Sequence, residues 1–123
     1  MLINLSNHPV KNWNVKQISE AEKLFGEITD IPFPQINPET DEAGIENLVD
    51  EYFELCIETL HKSKDKNNAV HLMGELTFTF GLVNKLLSEG IVCVASTTER
   101  KAIETKGKKI TEFEFVRFRK YLK

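Results

Sequence analysis

The chain has 123 residues, 41% of them hydrophobic and 28% charged, with a formal net charge of −3. That is one domain, long enough to bury a core, of ordinary globular composition. No stretch approaches the ~20 apolar residues of a membrane helix. The start, Met1–Leu5, lacks the basic region and cleavage site of a signal peptide. A cytoplasmic protein with no membrane partner is expected. Cys56 and Cys93 lie in apolar, periodic contexts without a Cys or His at metal-ligand spacing. They read as buried thiols of a reducing compartment, and no metal site is expected. Charge is unevenly spread: from Glu99 onward there are nine Lys/Arg against four Glu, and before it seven Lys/Arg against fifteen Asp/Glu. A basic tail on an acidic body either attracts an anion or forms a solvated hairpin of interleaved charges.

In chain order, Leu2–Leu5 is a short apolar run broken only by Asn4, and reads as a strand ended by Ser6-Asn7-His8-Pro9. From Val15 to Phe25 the apolar residues follow helical spacing, with Asn14 as N-cap and Gly26 as terminator. Residues 27–31 predict a second short strand, stopped by Pro32-Phe33-Pro34. A long amphipathic helix is predicted over 41–63, its buried stripe running from Ile45 through Val49, Phe53 and Cys56 to Leu60. A third strand follows at 69–73, a third helix at 76–89 capped by Gly90, and a fourth strand at 91–95 that is apolar throughout. Such a run is expected where helices cover both faces of a parallel sheet. Beyond it, 101–105 and 110–118 alternate apolar with polar around Lys106-Gly107-Lys108, a β-hairpin pattern. Simple alternation does not put Phe113, Phe115 and Phe118 on one face.

The expected fold is therefore α/β: a three-layer, Rossmann-like domain over 1–123, with a β-α-β-α-β-α-β part (1–100) and a C-terminal antiparallel hairpin (101–123). The parallel strands would run in the order 2-1-3-4 or 3-2-1-4.

In such sheets ligands bind beyond the carboxyl ends of the strands, where strand order reverses. Those ends carry Ser6-Asn7-His8-Pro9, Pro32-Phe33-Pro34, Gly74-Glu75-Leu76-Thr77 and Ser96-Thr97-Thr98-Glu99-Arg100. A strand turning through Gly74 into a helix aims free N–H groups at one spot, which suits a phosphate or carboxylate. His8 is the first acid–base candidate, or else a loop residue packed beside Trp13. Glu75 is a helix cap, a general base or a ribose acceptor; Thr77 is the more plausible ligand hydroxyl beside it and Thr79 a packing residue. Ser96, Thr97, Thr98 and Arg100 suit phosphate recognition or form a surface turn. Trp13 either stacks on a base or anchors its loop. His71 reads as packed on a sheet face, and His61 as a helix-end residue. The P-loop, dinucleotide and GxSxG signatures are missing, and no cofactor is expected.

Ile3-Asn4-Leu5-Ser6-Asn7-His8-Pro9 resembles the "apolar strand, then Ser-x-His" start of several small CRISPR-associated proteins. Met73-Gly74-Glu75-Leu76-Thr77 is similar in position to the Gly-Gly-Thr-type turn of CRISPR-associated Rossmann-fold (CARF-like) domains, with Glu75 where a second Gly is usual and no Lys after Thr77. Those families bind cyclic oligoadenylates across a two-fold dimer, and the ring nucleases among them cut the ring. The resemblance implies a homodimer, no duplex nucleic acid and a site in which His8, Glu75 and Arg100 act on the phosphodiester. Ser6, Asn7, Trp13, Gly74, Thr77, Ser96, Thr97 and Thr98 would hold the ligand. The open alternatives are a sensor or sink that binds without cutting, and an unrelated small nucleotide- or phosphate-binding protein.

Overall fold

The computed structural model describes residues 1–123. One five-stranded sheet organises it. The chain runs β1 (Leu2–Ser6), a single 3₁₀ turn at Val10–Asn12, α1 (Val15–Phe25), β2 (Ile28–Asp30), α2 (Glu42–His61), β3 (Ala69–Met73), α3 (Leu76–Ser88), β4 (Val92–Thr105) and β5 (Lys108–Lys120). The sheet order is β2-β1-β3-β4-β5, the first four strands parallel and the last antiparallel to β4. This is the Rossmann-like α/β architecture the alternating pattern predicts, in the first of the two strand orders considered. No helix is long and apolar enough to cross a membrane.

The helix boundaries follow from local chemistry. The Asn14 side chain accepts from the Gln17 N–H at 2.9 Å and Asp41 accepts from that of Gly44 at 2.9 Å, each satisfying a donor left free by helix geometry. Gly26 ends α1 at φ +86°, a conformation most side chains avoid.

The two faces of the sheet are covered by different elements. Ile3, Leu5, Val70, Leu72 and Cys93 point towards α2 and α3, where they meet Val49, Cys56, Phe78, Leu82 and Leu86. Phe78 is fully buried, its ring edge-on to Phe33 and Tyr52. Burying such a side chain contributes roughly 1.5–3 kcal/mol. On the opposite face Leu2, Ala69 and Val94 pack with Ala21 of α1, Trp13, Phe115 and Phe118. Both cysteines are free and buried, and burial pushes both thiols up to about 12.

The C-terminal third differs from the expected layout. The fourth strand does not stop at 95 before a separate hairpin. It continues through Ser96–Arg100 to Thr105 as one 14-residue strand. Its polar half reads as a loop in sequence because it leaves the helix-covered body, where alternation replaces a continuous apolar run. The 100/101 boundary between parallel part and hairpin therefore falls inside a strand. Lys106 and Gly107, both with positive φ, form the two-residue loop that matches strand twist. A bulge opposite Thr97/Thr98 shifts the register, so Phe118 faces Ser96 and Phe115 faces Thr98. The inserted residue puts Phe115 and Phe118 on one face, with ring centroids 4.8 Å apart, and Phe113 lines a hollow on that same side.

Candidate functional site

Strand order reverses between β1 and β3: α1 carries the chain from β1 to one side, and α2 returns it to the other. At the carboxyl ends of these strands lie two adjoining hollows that share Ser6 and Asn7. One, of about 480 Å³, is bounded by the loop after β1, the turn after β3 and the start of the β4–β5 arm. The other, about 700 Å³, lies over Pro32, Phe33 and Pro34.

The floor of the first hollow is a chain of polar side chains set into the sheet. Asn4, Ser6 and His71 are all buried, Asn4 and His71 at 1% and 2% exposure. Asn4 and His71 are direct cross-strand partners, and both point towards α1 because strand side chains alternate. The Asn4 amide makes all four of its hydrogen bonds. Its Nδ2 donates to the His8 carbonyl and to Asp30 Oδ1, each at 2.8 Å. Its Oδ1 accepts from Ser6 Oγ at 2.8 Å and from His71 Nδ1 at 2.9 Å.

With Nδ2 held by two acceptors, Oδ1 has to face the imidazole, so the proton of neutral His71 is on Nδ1. Nε2 is then an acceptor, and the Ser96 hydroxyl, 2.6 Å away, donates to it. Gln17 Nε2 of α1 donates to the same hydroxyl oxygen at 3.0 Å. Burial, and secondarily the charge of His8, pull the His71 imidazolium down to about 4, so the ring is neutral at pH 7. The Trp13 indole, edge-on to His71 at 5.2 Å, and Phe118 at 5.7 Å box in the ring. The result is a hydrogen-bonded Asn4–His71–Ser96 row whose last hydroxyl lies at the hollow.

Of the residues the sequence singles out, Ser6, Asn7, His8, Trp13, Gly74, Ser96 and Thr98 meet around this hollow. His8 is exposed. Its carbonyl accepts from both Asn4 and the Trp13 indole, the latter at 3.0 Å. Trp13 is 7% exposed and anchors its loop on the core, offering one edge as wall. Glu75 lies in the other hollow, with Lys11 and Asp30. Its carboxylate accepts from the N–H groups of Thr77 at 2.8 Å and Phe78 at 3.0 Å, and from the Thr77 hydroxyl. The helix-end donors expected to cradle a ligand anion are thus taken by the chain's own carboxylate. Those bonds, the Thr77 hydroxyl foremost, hold the Glu75 carboxyl below its ordinary range. Gly74 is glycine because a Cβ there would enter the Phe33 ring. Thr97 is on the reverse face, its hydroxyl bonded to the Arg117 backbone at 3.1 and 3.2 Å. Arg100 is exposed on the arm opposite Phe113 and lines neither hollow.

His71 is packed on a sheet face as its strand position predicts, and Asn4, its hydrogen-bond partner, is the residue the sequence reading passed over. The signal was present: each is the single polar residue inside an apolar strand run. No three His, Cys, Asp or Glu side chains converge as a metal site.

Fold and site define a small Rossmann-like α/β protein with a polar hollow at the switch point of its sheet. The chain belongs to the family described as "Uncharacterized protein MJ1673 family", whose profile matches residues 1–119. It is 30% identical over 119 residues to "Uncharacterized protein MJ1673" of Methanocaldococcus jannaschii, covering 94% of this chain and 84% of that protein. No solved structure matches the chain.

Proposed function

We propose that this protein binds a cyclic oligoadenylate at the β1/β3 switch point and opens the ring, the ligand's own 2′-hydroxyl attacking the adjacent phosphate. The observation that carries this reading is the about 480 Å³ hollow, a volume typical of small-ligand sites. His8 and His71 are its only ionisable side chains, so no lining carboxylate repels a phosphate. Trp13 and Phe113 offer aromatic edges to a base, while Asn7 and Thr98 offer amide and hydroxyl groups to ribose and phosphate. A two-fold symmetric ring would engage the same hollow on two copies, which makes a homodimer part of the proposal.

A second reading has its own support. Glu75 and Arg100 stand outside this hollow, and Glu75 occupies the helix-end donors. A binder that retains the ring uncut is consistent with that thinner set of groups.

One experiment separates the readings. The protein is incubated with cyclic tetra-adenylate and, separately, cyclic hexa-adenylate in EDTA, and the products are resolved by chromatography. A linear product ending in a 2′,3′-cyclic phosphate is expected. A raised melting temperature with intact ring identifies the binder, and no shift with either ring removes both readings.

A further inference from the structure

We propose that Ser96 is a catalytic residue of the hollow, its hydroxyl relaying the proton of the attacking 2′-hydroxyl to His71 Nε2, with Asn4 positioning the imidazole. The proposal rests on the cyclic-oligoadenylate reading and gives the site its base.

A serine hydroxyl has one proton and two lone pairs. The proton goes to His71 Nε2, and one lone pair accepts from Gln17. The second lone pair has no protein partner, and Ser96 lines the hollow. Every position on the Asn4 amide is used, and both His71 ring nitrogens are engaged. The row thus has a single open acceptor position, and it belongs to the residue at the ligand's side. Ser96 is half-buried, so that position faces the hollow and is accessible to a donor from a ligand.

The step balances. The 2′-hydroxyl gives its proton to Ser96 Oγ as the Ser96 proton passes to His71 Nε2. The O2′–P bond forms and the P–O5′ bond breaks. The leaving O5′ takes a proton from solvent, and the imidazolium returns its own to solvent. The products are a 2′,3′-cyclic phosphate and a 5′-hydroxyl, with no change of oxidation state.

The charged surroundings of His71 are few. His8 faces it from the loop after β1, and Asp30 stands behind Asn4 at the end of β2. Gln17 of α1, Ser96 of β4 and Phe118 of β5 are uncharged. A phosphate bound in the hollow stabilises the imidazolium and so strengthens the base where the reaction needs it.

The test is single-turnover cleavage of cyclic tetra-adenylate by the full chain. Ser96→Ala is expected to lose about 100-fold or more in rate, the usual scale of a general base, while labelled ring binds within a few-fold of wild type. Ser96→Thr, which keeps the hydroxyl, should recover most of the rate. The wild-type rate should fall on the acid side with the His71 titration followed by ¹H–¹⁵N NMR, and His71→Gln should lose that limb. The same spectra should show the neutral Nδ1–H form at pH 7. Wild-type cleavage by folded Ser96→Ala, or an Nε2–H or charged His71, overturns the relay and leaves the ligand reading intact. Failure of the wild-type chain to bind any ring removes that reading and the relay with it.

Discussion

On the side of the sheet covered by α2 and α3, Ile3, Leu5, Val70, Leu72 and Cys93 form a dry layer under two helices. On the other side the same three strands present Leu2, Ala69 and Val94, then Asn4, His71 and Ser96. Trp13, α1 and the aromatic end of β5 cover that face, and α1 supplies Gln17 where the strands turn polar. Each pair of neighbours along a strand thus divides between a face that binds by exclusion of water and a face that carries hydrogen bonds. The lesson is that the site is not added on loops around an apolar sheet. Its floor is part of the sheet, which holds the row rigid and ties its chemistry to stability.

The largest expected break in this comparison is on the dry face. Phe78→Ala removes a fully buried ring and leaves a cavity between Phe33 and Tyr52, and should cost about 3–5 kcal/mol in urea unfolding. The polar face should show itself through pH. His71 titrates near 4 folded, against 6.5 as the ordinary value, so the unfolded chain binds the proton more readily. Stability from this group is therefore present above pH 6.5 and lost as pH falls towards 4, by about 3 kcal/mol in total. His71→Gln should flatten that part of the urea-midpoint profile between pH 6.5 and 4.

Smaller effects sharpen the boundary between the faces. Gly74→Ala drives a methyl into Phe33, and should cost about 1–3 kcal/mol through overpacking, read from the melting temperature. Thr79, buried in α3, has a hydroxyl without a partner. Thr79→Val removes that polar group in the same shape and should stabilise by about 1 kcal/mol. The exposed pair Lys101–Glu114, 3.0 Å apart on the arm, is solvent-screened, and Lys101→Ala should leave the urea midpoint where it is.

How much was legible depends on the range of the interaction. The α1 cap at Asn14, its Gly26 terminator and the Lys106-Gly107 turn are local, and each is read from adjacent residues. The β5 bulge is not, because an inserted residue is defined only against the partner strand. The same holds for the strand that runs on through Ser96–Arg100, whose polar half has no helix to bury it. Glu75 was readable as a cap or as a ligand group, and only the placed carboxylate decides that it closes its own helix.

The sequence by itself determined the α/β alternation, the three helices and the strands' carboxyl ends as the place for chemistry, because hydrophobic period and capping act within a few residues. The tertiary structure alone decided that Asn4, His71 and Ser96 form one hydrogen-bonded row. Asn4 and His71 stand 67 positions apart, and cross-strand register, set by packing of the whole sheet, is what brings their side chains to one level and one face.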